Sequence, residues 1–356
     1  MSKERLKKVM AIQSESYETQ DMIDFISDEF ESISADDPDN YCIVIEDENI
    51  YITKGYADTY PCVVAHTDTV HEIQSDMTVF DDGITMFAMN MRKGLQMGIG
   101  GDDKVGIYIA LEALRNNDYI KVAFFRDEEM GCLGSMDADM RFFKDVEFVL
   151  QCDRQGYKDF VTEIYGVVLS DRAFSNAISG ILEKYGKVET TKGGMTDVYQ
   201  LCLNGLEVCS ANISCGYYRP HCDDEIIIIE DVFRTRDLVD EIVKSISGTV
   251  WRNSLKSKSR YPKSYREEEL PGKFENGYFN KKGNWVEFSS SKSSEKEYPS
   301  SSQEENPFNS KGEPLGLMCL CEQCDGIDLM YDANEDADWC FSCGEYTNKY
   351  NNYQER

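Results

Sequence analysis

The sequence predicts an α/β domain over residues 1–250, with a mixed, largely parallel sheet and helices on both faces. Three observations carry that expectation. Short apolar runs alternate with segments of helical period throughout 60–247. The run Tyr60-Pro61-Cys62-Val63-Val64-Ala65-His66 is bounded by polar residues and reads as a buried strand. Clusters of polar residues fall just after such strands, where open α/β sheets build their sites.

The elements follow in order. Residues 1–32 read as two short helices, striped by Leu6, Val9 and Met10 and then by Met22, Phe25, Ile26 and Phe30, with the polar turn Ser14–Thr19 between them. Strands are expected near 41–47 and 49–54, joined through Glu46-Asp47-Glu48-Asn49, and then the apolar run near 61–66. Residues 72–97 alternate weakly around the turn signal Asp81-Asp82-Gly83. The glycine-rich stretch from Gly98 to Gly106 leads into a helix at 103–116. A strand at 121–125 ends in Arg126-Asp127-Glu128-Glu129, and a helix near 137–143 precedes a strand at 146–152 that ends in Asp153. Phe174, Ile178, Ile181 and Leu182 share one face of a helix at 171–185. A Gly-rich loop, a strand at 206–213 and a helix at 230–247 complete the domain.

Composition narrows the function. The formal net charge of −29 argues against a nucleic-acid surface, because neutralising phosphates takes clustered Lys and Arg, and against adhesion to anionic membranes. The N-terminus, Met1-Ser2-Lys3-Glu4-Arg5, precedes no apolar core segment, so no secretory signal is expected, and the apolar runs are too short to span a bilayer. Eight of the 13 cysteines are scattered singly through the first 222 residues, as reduced core thiols are, which points to a cytoplasmic protein. The other five lie between Cys319 and Cys343. Residues 251–313 are rich in Ser, Lys and Glu without periodicity, and read as a flexible linker.

The chemistry lies at the strand ends. In chain order the polar groups are His66-x-Asp68, Asp102-Asp103, Glu128-Glu129, Asp153 and His221. Each has an ordinary reading alone: an acidic helix start, a solvated turn, a turn residue, a surface histidine. Together they offer two imidazoles, drawn from only three in the chain, and enough carboxylates for two zinc-like ions with one carboxylate shared. Two ions about 3.5–4 Å apart lower the pKa of a water between them and polarise a carbonyl. A carboxylate that is not a ligand must then take the proton, and a Glu-Glu pair can supply both roles. Positions i and i+2 of a strand share a face, so Asp68 lies beside His66 as an orienting partner. His71 falls outside this pattern and reads as a loop residue.

This set resembles the co-catalytic di-zinc exopeptidases and deacylases of the peptidase T, carboxypeptidase G and aminoacylase type and the related aminopeptidases. The likeness covers about residues 1–248. It lies in the ligand order, in Asp102-Asp103-Lys104-Val105-Gly106 and in Glu128-Glu129-Met130-Gly131. It implies a phosphorylase/hydrolase-like zinc peptidase fold and an Asp102 carboxylate bridging two metals, followed by a cis peptide. It further implies His66 and Asp153 on one ion, Glu129 and His221 on the other, Asp68 orienting His66, and Glu128 as general base. Gly193-Gly194-Met195-Thr196-Asp197 resembles the family's Gly-Thr-Asp substrate loop, with Met195 inserted. Relatives carry a lid domain between the fourth and fifth ligands, or a β-domain between the first and second, and neither fits here. Substrate contacts are therefore expected from Thr196, Asp197 and the residues beside His221, namely Arg219, Tyr217 or Tyr218.

A second constellation is C-terminal. Cys321-x2-Cys324 and Cys340-x2-Cys343 have the spacing of a four-thiolate structural zinc site, and 314–350 reads as a zinc-ribbon-like module. Its acidic residues, such as Asp325 and Asp328, favour a structural or protein-docking role over nucleic acid.

The expectation is a cytoplasmic di-zinc metallopeptidase cleaving small peptides, as an aminopeptidase or dipeptidase. It would hold two catalytic Zn2+ (or Co2+ or Mn2+) and one structural Zn2+. The alternatives are an N-acyl amino acid deacylase or amidase, and a non-catalytic binding protein acting through its ribbon.

Overall fold

The computed structural model describes residues 2–255, together with the backbone of five short strands beyond them. Helices α1 (Ser2–Met10) and α2 (Gln20–Ser34) open the chain. Strands β1 (Tyr41–Glu46) and β2 (Asn49–Lys54) form a hairpin. Its two turn residues, Asp47 and Glu48, both have positive φ, as the tight turns matching strand twist require. After β3 (Tyr60–His66) come β4 (Met77–Asp81), β5 (Thr85–Asn90) and β6 (Leu95–Met97). Next are α3 (Gly101–Asn116), β7 (Ile120–Phe125), α4 (Leu133–Met136), β8 (Val146–Arg154) and β9 (Asp159–Val161). The small hairpin β10 (Glu163–Ile164) and β11 (Val167–Val168) leads to α5 (Arg172–Lys184), β12 (Val188–Thr190), α6 (Asp197–Leu203) and β13 (Ser210–Ser214). Strands β14 (Tyr217–Tyr218) and β15 (Ile226–Ile228) precede α7 (Ile229–Ile246).

The main sheet has the order β1-β2-β7-β3-β8-β13-β9-β12. Its centre, β7-β3-β8-β13, is parallel, and β1, β2 and β9 introduce the antiparallel pairings. Strand alternation divides the apolar side chains between two cores. Val63, Ala65, Val122, Phe124, Phe148 and Leu150 face the larger core with α1, α2, α3, α5 and α7. Cys62, Val64, Ala123, Phe125 and Val149 face the smaller one, with Val198 and Leu201 of α6 and the segment after α4. Each fully buried Val, Ile or Phe contributes about 1.5–3 kcal/mol, so a sheet covered on both faces anchors its strand ends firmly. The connection leaving β3 passes through α3 on one face, and the connection leaving β7 passes through α4 on the other. The connections diverge at the carboxyl ends of β3 and β7, the position where such sheets build their sites.

Two expectations give way. No helix forms at 137–143: α4 ends at Met136, and Asp139 accepts the N–H of Arg141 on its side chain, a local bond that competes with helix. The strand expected over 206–213 begins only at Ser210, because its first half pairs with the chain leaving α7, through the bridge between Val208 and Arg252. That chain stays packed past the boundary expected at 250. Trp251 lies edge-on to Phe174, and Ser254 donates to Asp171.

Between Asp153 and His221 the chain is consumed by β9 to β14, α5 and α6, with the hairpin β10–β11 and the short β14, which pairs with β15, outside the main sheet and its helices. No helix of the described residues is long and apolar enough to cross a membrane. The eight cysteines among them are free thiols. Beyond residue 255, β16 (Gly277–Phe279) and β17 (Trp285–Glu287) form an antiparallel pair inside the expected linker. Strands β18 (Leu329–Asp332), β19 (Ala337–Cys340) and β20 (Glu345–Thr347) form an antiparallel meander. The expected ribbon ligands Cys321, Cys324 and Cys343 lie outside the described residues, and of Cys340 only the backbone is described.

Candidate active site

His66 ends β3 and is fully buried. Its Nδ1 lies 3.0 Å from the Asp68 carbonyl oxygen, an acceptor, so Nδ1 carries a proton and Nε2 is the ring nitrogen turned toward the acidic cluster. That nitrogen faces Asp102 Oδ1 at 3.3 Å and Asp153 Oδ1 at 3.6 Å. On the other side, His221 Nε2 lies 3.4 Å from Asp102 Oδ2 and 3.1 Å from Glu129 Oε1. The described residues thus gather two triads, His66–Asp102–Asp153 and Asp102–Glu129–His221, with Asp102 common to both. A tetrahedral zinc with bonds of about 2.0–2.1 Å holds its donor atoms about 3.3–3.4 Å apart. The histidine-to-carboxylate spacings match, and mixed imidazole and carboxylate donors suit zinc, so the residues fit a pair of such ions.

Asp102 follows the turn from Gly100 into α3, in a non-helical conformation and joined to Asp103 by a cis peptide. Asp103 is in neither triad. Its buried carboxylate accepts the N–H of His66 at 3.2 Å and of Gly106 at 3.0 Å, tying β3 to α3. A Cβ on Gly106 would stand 2.2 Å from Asp103 Oδ1, which explains the glycine.

Carboxylates crowd this site, and their proton affinities diverge. Burial and the Asp102 charge push Asp153 up to about 7. Burial, with Asp102 adding to it, also raises Glu129, while His221 opposes the shift. For Asp102 burial works upward, but its contacts with His221 and His66 win and hold it far below the usual carboxylate range. Burial likewise disfavours charge on His66, yet hydrogen bonds to Asp102, Asp153 and Asp68 lift it well above an ordinary imidazole. Glu128 is not in either triad. It lies 4.0 Å from His66 Nε2 and accepts a hydrogen bond from the Cys132 thiol at 3.4 Å. Burial, followed by the charges of Asp153, Asp197 and Glu129, raises it well above a normal glutamate against the pull of His66. A carboxyl that holds its proton more tightly than usual, and belongs to neither triad, suits a role in proton transfer.

The remaining sequence candidates take other places. Thr196 and Asp197 are buried at the start of α6, behind Asp153. Thr196 Oγ1 donates to Asp153 Oδ2 at 2.6 Å, and Gln151 Nε2 donates to both Asp153 Oδ2 and Asp197 Oδ2. Tyr217 is also buried, with its hydroxyl 3.4 Å from Asp153 Oδ1. Tyr218 donates to Asp231, and Arg219 is exposed and ion-paired with Asp224. Sequence reasoning passed over Gln151, Ser16 and Glu225, and read His71 only as a loop residue. Gln151 had a usable signal, since it precedes Asp153 by two on the same strand face. Ser16, which donates to Asp68 Oδ2 at 2.7 Å, had none.

No family model matches this sequence, and no curated protein matches it. Solved structures do match in fold. An aminopeptidase PepT from Bacillus cereus has a TM-score of 0.56 at 13% identity, over 68% of this chain and 97% of that one. A tripeptidase from Staphylococcus aureus has a TM-score of 0.55 at 12% identity, over 68% and 97%. A TET aminopeptidase from a marine sediment Thaumarchaeota archaeon has a TM-score of 0.53 at 13% identity, over 69% and 97%. The domain therefore has the α/β fold of these peptidases.

Proposed function

We propose that this chain is a metallo-aminopeptidase working with two divalent ions. The observation that carries the reading is the division of Asp102. One oxygen faces the His66 triad and the other faces the His221 triad, with Glu128 beside them but in neither. Two ions bound there, zinc or a similar metal, would polarise the scissile carbonyl and make a water acidic. The protein's own part is geometric and protonic. Asp102, Asp153, Glu129 and the two histidines would hold the ions, and Asp68 fixes the His66 ring. Glu128 takes the proton of the attacking water and returns it to the leaving nitrogen, a transfer its raised pKa serves.

Peptide amines suit this site better than substrate carboxylates. Asp102, Glu129 and Asp153 belong to the two triads, and Asp68 and Asp197 are fully buried. The nearby cations Arg126, Arg154 and Arg219 are each paired with a carboxylate. A substrate carboxylate therefore finds none of these cations uncommitted, whereas a free amino end needs none of them. The fold shared with aminopeptidases and a tripeptidase agrees with this preference. For the C-terminal segment we propose one structural zinc on Cys321, Cys324, Cys340 and Cys343. The support is the cysteine spacing.

The test is an assay of wild type and Glu128→Gln on di- and tripeptides with free and N-acetylated amino ends, alongside bound-metal analysis. The expected result is cleavage only of free-amine peptides, and a fall of at least about 100-fold in the variant with metal content kept. A chain that binds no ions, or a variant with unchanged turnover, overturns the proposal. Cleavage confined to N-acyl substrates moves the reading to a deacylase.

A further inference from the structure

Glu225 lies outside both triads, yet it is fully buried and its two oxygens are spent on the loop that carries Asp102. Oε2 accepts the backbone N–H of Gly100 at 2.7 Å, and Oε1 accepts the N–H of Asp102 at 3.2 Å. These donors precede the regular part of α3, where no helical carbonyl is available to them. A buried carboxylate is costly unless fully hydrogen-bonded, and this one has a third partner. His71 Nε2 lies 3.0 Å from Oε2, so its N–H completes the set. The imidazole in turn lies against Gly98, where a Cβ would come within 1.9 Å of the ring. The glycine before the Asp102 loop is thus explained by the histidine packed on it.

The arrangement has a mechanical consequence. Asp102 is the ligand common to both triads, so displacing it spoils both at once. Asp103 ties this peptide to the end of β3 from one side. Glu225 ties it from the other, to the segment between His221 and β15. His221 and Glu225 sit on that same short segment, so holding Asp102 with Glu225 also sets its distance to His221. The third histidine of the chain then serves the site as well, at one remove.

We propose that Glu225 is a positioning residue that holds the Asp102 carboxylate between the two ions, and that His71 keeps Glu225 in place to do so. This rests on the two-metal reading above. The experiment measures Co2+ binding to the full chain, by chelator competition and by the visible absorption of the bound ion, for wild type, Glu225→Gln, His71→Ala and His71→Gln. Melting temperature is recorded without metal for each. Glu225→Gln turns one acceptor into an amide donor facing a backbone N–H. We expect at least a tenfold loss of affinity, a changed absorption band, and a fall in kcat with KM little altered. Outer partners of metal ligands commonly contribute 10–100-fold. His71→Ala should lower affinity in the same sense with a smaller effect on melting, and His71→Gln should restore part of it by returning a donor. Wild-type affinity and spectrum in folded Glu225→Gln or in His71→Ala overturn the brace while leaving the two-metal reading intact. If Glu225→Gln does not fold, the His71 pair decides, and equal behaviour of Ala and Gln there overturns the proposal. A wild type that binds no pair of ions fails the functional reading itself, and the brace falls with it.

Discussion

Asp68 Oδ1 accepts the backbone N–H of Glu128 at 2.8 Å. The same carboxylate receives Glu129 N–H at 3.3 Å and Ser16 Oγ at 2.7 Å, and stands 3.3 Å from His66 Nδ1. Burial would raise its pKa, but these bonds, led by His66, hold it below the ordinary range, so it stays an anion. One side chain therefore orients the first histidine and fixes the peptide bearing the base and a ligand.

Asp68→Ala is accordingly expected to do more than loosen one imidazole. We expect a loss of about 10–100-fold in metal affinity, and a larger loss in kcat because Glu128 moves too. Ser16→Ala, which removes a single bond, should cost far less. Chelator competition and steady-state kinetics measure both. Equal effects of the two variants would remove the dual role.

The shared position of Asp102 predicts a stoichiometry. Asp153→Ala and Glu129→Ala should each leave one tightly bound ion at the two-triad site, and Asp102→Ala should leave none. Metal analysis after dialysis reads this directly. An Asp102→Ala chain that keeps one tightly bound ion would show that the two triads are independent.

Thr196→Val removes the 2.6 Å bond to Asp153 while Gln151 keeps its own. The expected outcome is a fall of about tenfold in the affinity of one ion, with KM for small peptides unchanged. A raised KM with unaltered kcat and metal binding would instead put Thr196 at the substrate.

Gly106→Ala drives a methyl into the Asp103 carboxylate. Overpacking of this kind costs about 1–3 kcal/mol. Since Asp103 bonds the His66 N–H, activity should fall together with stability. Urea unfolding and an activity assay on the same preparation test it, and full activity with lost stability would separate Asp103 from the site.

Asp171 caps α5 through the N–H groups of Ala173 and Phe174 and also accepts from Ser254. Burial opposes its charge, but the bonds to Ser254, Phe174 and Ala173 prevail and lower its pKa. A depressed carboxylate stabilises the fold above its unfolded pKa of about 3.9, and that contribution disappears as pH falls through the lower folded value. Asp171→Ala should cost about 1–2 kcal/mol at neutral pH, with the gap to wild type closing in strong acid. A gap that stays constant from pH 7 to pH 2 would rule out the charged cap.

The fold was legible because its signals are local. Continuous apolar runs such as Tyr60–His66 announce strands buried on both faces, and the helical stripes of α5 and α7 appear within single segments. The misplaced helix at 137–143 and the late start of β13 share one cause. There a side chain or a distant strand takes the backbone hydrogen bonds, and propensity has no access to that competition.

For the site, the sequence by itself determined which residue types stand at the strand ends: His66, Asp102, the Glu128–Glu129 pair, Asp153 and His221. Polarity after an apolar run is a one-dimensional property. Only the tertiary structure decided how they are held. It divided the oxygens of Asp102, placed Thr196, Gln151 and Tyr217 behind Asp153, and brought His71 and Glu225 from separate loops onto one backbone turn. Those partnerships depend on hydrogen-bond directions a few ångströms long between segments far apart in the chain, and such geometry exists only after the sheet has closed.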